Sequence, residues 1–182
     1  VTAVKNGKSI DTSMGFTPLE GLMMATRAGD VDPGLLLYLQ DKEKLSPRRL
    51  YELLNRDSGL KGMTGTPDMR EVVKRAKSGS IAGRMALEIF CKRAAKAIAA
   101  QVISLGGLDQ IVFSGGIGEN SSEIRRKICE YLRPFGVQLD ALKNNSAPAG
   151  KAFNKKMSGV LLAWLHADEA AEINRILSSL SI

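Results

Sequence analysis

The sequence predicts an α/β protein with long helices and few strands. Two observations carry this. A 26-residue stretch with apolar residues at helical spacing runs through the middle, from Ser80 to Leu105. Two short apolar runs, DQIVFSGG and GVLLAWL, read as strands. The first is too apolar to leave one face wet, so it is expected to be buried on both sides. What can be found does not complete a sheet.

In chain order, Val1–Val4 and Ser9–Asp11 flank Asn6-Gly7, the favoured central pair of a type I′ hairpin turn. A hairpin arm with nothing before it, and a chain opening on Val1, suggest a piece of a longer protein. Asp32 with Pro33 and Ser46 with Pro47 each begin a helix, cap first and proline in the first turn. Gly59 is expected to stop the second. Asp68 with Glu71 three residues later resembles a capping box. In the long helix, Ile81, Met85, Ile89, Phe90, Ala94, Ile98, Val102 and Leu105 would form the buried face, ended by Gly106-Gly107. Helices are also expected at Asn120–Leu132 and Asp168–Leu180, with a loop-rich Lys143–Met157 between them.

The net charge is +7 and the pI near 9.5, which favours anionic partners. The basic groups Lys74/Arg75/Lys77, Arg125/Arg126/Lys127 and Lys151/Lys155/Lys156 read mainly as wet faces. Aromatic content of 5% offers no stacking platform, so no nucleic-acid partner is expected. No apolar run approaches the roughly 20 residues a membrane span needs, and no membrane partner is expected. Cys91 and Cys129 form no CxxC pair and read as buried thiols, and His166, the single histidine, as structural.

Two stretches suit chemistry. VFSGGIGEN, residues 112–120, delivers a strand to Gly115, Gly116 and Gly118, then a helix start. Bare main chain and helix-end donors suit a phosphate or nucleoside, and a plain tight turn is the competing reading. The motif is neither GxxxxGK[ST] nor GxGxxG. In DTSMGFTPLEGLMMATRAGDVDPG, residues 11–34, Arg27 suits a developing anionic charge, or else pairs with Asp30 or Asp32. Asp68 and Glu169 each admit simple capping.

Together with LLNRDSGLKGMTGTPDMREV, these stretches resemble the acetate kinase family, over about the later half of a member. The resemblance implies the sugar kinase/Hsp70/actin (ribonuclease H-like) fold, with 1–182 as a nucleotide-side C-terminal domain. It implies a cytoplasmic enzyme exchanging phosphoryl groups between ATP and acetate with Mg²⁺, and a homodimer. Gly116, Ile117, Gly118, Glu119 and Asn120 would hold ATP or ADP, with Asp68, Met69 and Arg70 as a second nucleotide segment. Arg27 would stabilise the transferring phosphoryl group, and Glu169 would help place Mg²⁺. Ala170-Ala171 stand where the family has Glu-Leu, and the TGTPDMR loop is shorter. With the other half of the family's catalytic groups absent, residues 1–182 alone are expected to bind nucleotide and dimerise with little turnover. Propionate or butyrate kinase, or a non-catalytic nucleotide-binding remnant, are the alternatives.

Overall fold

Positive φ at both Asn6 (51°) and Gly7 (74°) makes the expected I′ turn. It joins β1 (Thr2–Lys5) and β2 (Lys8–Thr12) as an antiparallel hairpin with Lys5 opposite Lys8. The computed structural model describes residues 1–179. Leu180, the last residue of the expected final helix, lies outside them. The chain divides into two compact units, Val1–Leu108 and the part from Asp109 onward.

In the first unit, α1 (Pro33–Lys42), α2 (Pro47–Arg56), α3 (Gly59–Thr64), α4 (Met69–Lys77) and α5 (Ile81–Leu105) follow the hairpin. The three expected caps, and Ser80 beside them, act as such where their side chains accept main-chain N–H groups. Asp32 takes Gly34 N–H, Ser46 takes Arg49 N–H, Asp68 takes Arg70 N–H and Ser80 takes Gly83 N–H. Gly59 does not merely end α2. Asp57 caps that helix, and Gly59 opens α3.

The buried stripe of α5 also differs from expectation. Of the expected series only Ala94 is fully buried; the buried residues are Gly83, Ala86, Leu87, Cys91, Ala94, Ala95 and Gln101, while Ile81 is 69% and Met85 53% exposed. The reason is close packing against α4. A Cβ at Gly83 would stand 2.9 Å from Ala76 N, so the smallest residues, not the largest, face the neighbouring helix.

The second unit contains β3 (Gln110–Phe113), α6 (Gly115–Asn120), α7 (Ser122–Tyr131), a 3₁₀ turn at Arg133–Phe135, α8 (Ala141–Ser146), β4 (Leu161–Trp164) and α9 (Glu169–Ser179). Strands β3 and β4 are parallel, with Gln110 opposite Leu161 and Phe113 opposite Trp164. Contrary to the two-sided burial expected, β3 buries Ile111 and Phe113 and leaves Val112 45% exposed. The unit's core includes Phe153, Ile124, Leu132, Leu162 and Val137, with the Phe113 and Phe153 rings 6.2 Å apart, and β4 buries both Leu162 and Ala163. The segment 120–132 is not one helix. Asn120 ends α6, Ser121 is extended (φ −121°, ψ 92°), and α7 starts afresh with Ser121 as its cap. Cys91 and Cys129 are buried thiols outside any disulfide, as expected, and burial pushes the Cys129 thiol up to about 12. Among the described residues no helix is long and apolar enough to cross a membrane.

Candidate functional site

Arg27 lies on a loop strapped to the first unit by its main chain. Met24, Ala25 and Thr26 carbonyls accept from Leu60, Lys61 and Ser58 N–H at 2.9–3.0 Å, so the start of α3 holds the loop. Ala28 N–H donates to Leu54 O at 2.9 Å. Arg93, not singled out from the sequence, reaches from α5 to the Asp30 carbonyl at 3.1 Å. The ion pair weighed for Arg27 does not form. Asp30 accepts from Gly21 N–H at 2.7 Å and Asp32 caps α1. The half-buried Arg27 guanidinium is left with a contact of 3.9 Å to Met24 Sδ. A cation held by a fixed loop, with no carboxylate partner among the described residues, can meet an anionic group that arrives from outside.

Half-buried Asp68 and exposed Arg70 grip each other, Nη2 to Oδ2 at 2.8 Å. The Arg70 guanidinium holds the Asp68 carboxyl below its ordinary value. Met69 is 6% exposed and belongs to the core, so only its main chain can meet a ligand.

In the second unit, the strand ends at Phe113 and the chain turns through Gly115 at φ 72°, the left-handed region that glycine enters without cost. A Cβ at Gly115 or Gly116 would meet nothing within 4 Å, so the main chain there faces open space. Gly118 instead packs on β3, its absent Cβ 3.3 Å from Phe113. Part of the bare backbone foreseen here is occupied, because residues 115–120 coil into α6. The Glu119 carboxylate accepts from Gly115 N–H at 2.9 Å, and Asn120 Nδ2 donates to Gly116 O at 2.9 Å. Gly116 stays exposed, while Ile117 and Gly118 are half-buried.

Arg125 corrects the sequence reading most sharply. It was expected on a wet face and is 4% exposed. Its guanidinium donates to the Gly118 and Glu119 carbonyls at 2.7 Å and to Asn144 Oδ1 and O at 2.8 Å. It also lies 5.4 Å from the Phe153 ring and 5.9 Å from that of Trp164. Burial lowers its pKa, and the carbonyls and ring faces stand in for solvent. Arg125 thus fixes the exit of the glycine turn from below. The GENSSEIRR spacing carries no signal of this, since the acceptors come from main chain and from Asn144.

Glu169 opens α9, exposed, with no ion pair among the described residues, while Asp168 caps the helix through Ala171 N–H at 2.9 Å. No group of three or more metal-ligating side chains occurs among the described residues. A single free carboxylate fits Mg²⁺, which takes one or two carboxylates and fills its shell with water and substrate phosphates.

A sequence profile of the Acetokinase family matches residues 1–175. The chain belongs to this family. It is 46% identical over 175 residues to the acetate kinase of Syntrophobacter fumaroxidans, covering 96% of this chain and 43% of that protein. It is 49% identical over 144 residues to that of Carboxydothermus hydrogenoformans, covering 79% and 36%. Acetate kinase of Entamoeba histolytica superposes with a TM-score of 0.91 at 28% identity, over 98% of this chain and 48% of that one. A propionate kinase of Francisella tularensis gives 0.87 at 42%, over 92% and 43%. The acetokinase chain thus spans less than half the length of these relatives. Its fold class is the one the resemblance implied, α/β of the sugar kinase/Hsp70/actin type with a small, incomplete sheet. Its family is one of kinases.

Proposed function

We propose that this chain is the nucleotide-side, C-terminal domain (1–182) of a cytoplasmic, homodimeric acetate kinase that needs Mg²⁺. The observation that carries the reading is the family match over residues 1–175, which includes the open glycine turn. Gly116, Ile117, Gly118 and Asn120 receive ATP or ADP, with Asp68, Arg70 and the Met69 main chain as the second nucleotide segment. Glu119 belongs to the first segment with its carboxylate already engaged.

In the reaction an acetate oxygen bonds to the γ-phosphorus of ATP. The bond from that phosphorus to the β–γ bridging oxygen breaks, and ADP leaves with the electron pair. The products are acetyl phosphate and ADP, and the reverse runs through the same state. Positioning and charge neutralisation do most of the work in such transfers. Arg27, on a strapped loop, meets the negative charge on the transferring group. Glu169 would hold Mg²⁺, which supplies charge neutralisation at the phosphates when bound. The 182 residues alone bind nucleotide and dimerise with little turnover, because the carboxylate end of the site belongs to the other half of the family's length.

The similarity to a propionate kinase at 42% identity keeps propionate as a second acceptor reading. A coupled assay of the two-domain protein with acetate, propionate and butyrate separates them. The reading predicts highest kcat/KM with acetate, and a reversed order refutes it. Robust acetyl phosphate synthesis by residues 1–182 alone would contradict the division of labour.

A further inference from the structure

We propose that Glu119 is a positioning residue rather than a nucleotide ligand: its carboxylate clasps the glycine turn to the segment leading into α9. The proposal rests on the nucleotide reading above. Three donors converge on this one side chain. Gly115 N–H and Ala167 N–H both reach Oε1 at 2.9 Å, and His166 Nδ1 lies 2.9 Å from Oε2. The Glu119 side chain is only 13% exposed, against 69% for His166, so the clasp faces inward. Its carboxyl is held below the ordinary value, first by Ala167 N–H, then by His166.

A carboxylate has only acceptors to offer and carries a negative charge, which repels a diphosphate. A turn that merely needed closing would be served by the Gly115 bond alone. The other two arms reach a stretch 47 or 48 residues away in sequence. That stretch continues directly into Glu169, so the clasp sets the separation between the nucleotide turn and the proposed Mg²⁺ residue. The neighbouring backbone is fixed as well. Leu165 N–H donates to Phe113 O at 2.9 Å, and the Glu119 carbonyl accepts from Arg125. His166 is held on its far side by the edge-on ring of Trp164, 4.9 Å between centroids at 88°.

The test compares the 182-residue chain with Glu119→Ala, Glu119→Gln and His166→Ala, using amide hydrogen exchange and MgADP titration. Loss of the carboxylate should speed exchange at Gly115 and Ala167 about tenfold and weaken MgADP by a similar factor, the scale of one lost charge-assisted hydrogen bond. Glu119→Gln keeps one carbonyl oxygen and should recover part of both effects. His166→Ala, on an exposed side chain, should leave Gly115 protected and speed Ala167. Should Glu119→Ala fail to fold, His166→Ala decides, and unchanged exchange at Ala167 in it overturns the clasp. Unchanged exchange in Glu119→Ala, or faster exchange with undiminished MgADP affinity, overturns the proposal as well. A wild-type chain that binds no MgADP sinks the nucleotide reading and the coupling with it, whereas the exchange data then still report whether the carboxylate holds the two amides.

Discussion

Arg27 and Arg125 show how differently two arginines can be spent. Arg125 has four acceptors and two ring faces in a buried setting, so truncation takes a donor away from each of those acceptors. Arg125→Ala should cost about 2–4 kcal/mol in urea denaturation, and Arg125→Lys should not rescue it, because an ammonium lacks the guanidinium fork. Arg27 has no such partners among the described residues, so Arg27→Ala should leave the stability of residues 1–182 within about 0.5 kcal/mol. In the two-domain enzyme the same change should lower kcat by roughly 10²–10³ with nucleotide binding largely kept. Unchanged turnover would remove Arg27 from the mechanism. The sequence marked Arg27 because an isolated arginine among glycines and acids has no helical face to occupy. It misplaced Arg125 because a residue in an SEIRRK run looks like surface until the acceptors from residues 118, 119 and 144 are brought in.

Among elements, the junction of α4 and α5 depends most on side-chain size. Gly83→Val pushes a branched side chain against the Ala76 backbone, and overpacking of this kind costs about 1–3 kcal/mol. Gly115→Ala, by contrast, meets open space and should cost only the left-handed backbone penalty, about 1 kcal/mol. Thermal melts of the two variants check the order, and a costlier Gly115→Ala would mean that the turn is more enclosed than described. The helix starts were legible because cap chemistry is local: Asp32, Ser46, Asp68 and Ser80 each satisfy a main-chain N–H within three residues. The α5 stripe was not. The apolar series is correct, but which of its faces is buried depends on how closely α4 approaches, and that is a tertiary fact. The strand β3 was found, but the two-sided burial expected of it was not, since which face is covered depends on elements remote in sequence. Likewise the glycine turn was legible as bare backbone, and its coiling into α6 was hidden because Glu119 closes it with a side chain.

For the molecule as a whole, the carboxyls of Asp57, Asp68 and Glu119 are all held below their ordinary values by hydrogen bonds, from Lys61 first, from Arg70 first and from Ala167 first respectively. The folded state therefore binds protons less readily than the unfolded one. Their contribution is complete above the ordinary values of 3.8 and 4.5 and disappears as pH falls through the lower folded values. Stability from these groups should be flat from neutral pH down to about pH 5 and then decline. Urea midpoints across pH 3–7 measure this, and a midpoint rising on acidification would contradict it. The proposed function places an anionic nucleotide at the glycine turn. The most direct test is amide chemical-shift mapping of the 182-residue chain titrated with MgADP. The account predicts saturable shifts concentrated at Gly115–Asn120, with a second set at Asp68–Arg70. No binding at millimolar MgADP, or shifts confined to the basic surface around Arg126, Arg133 and Lys155, would contradict it.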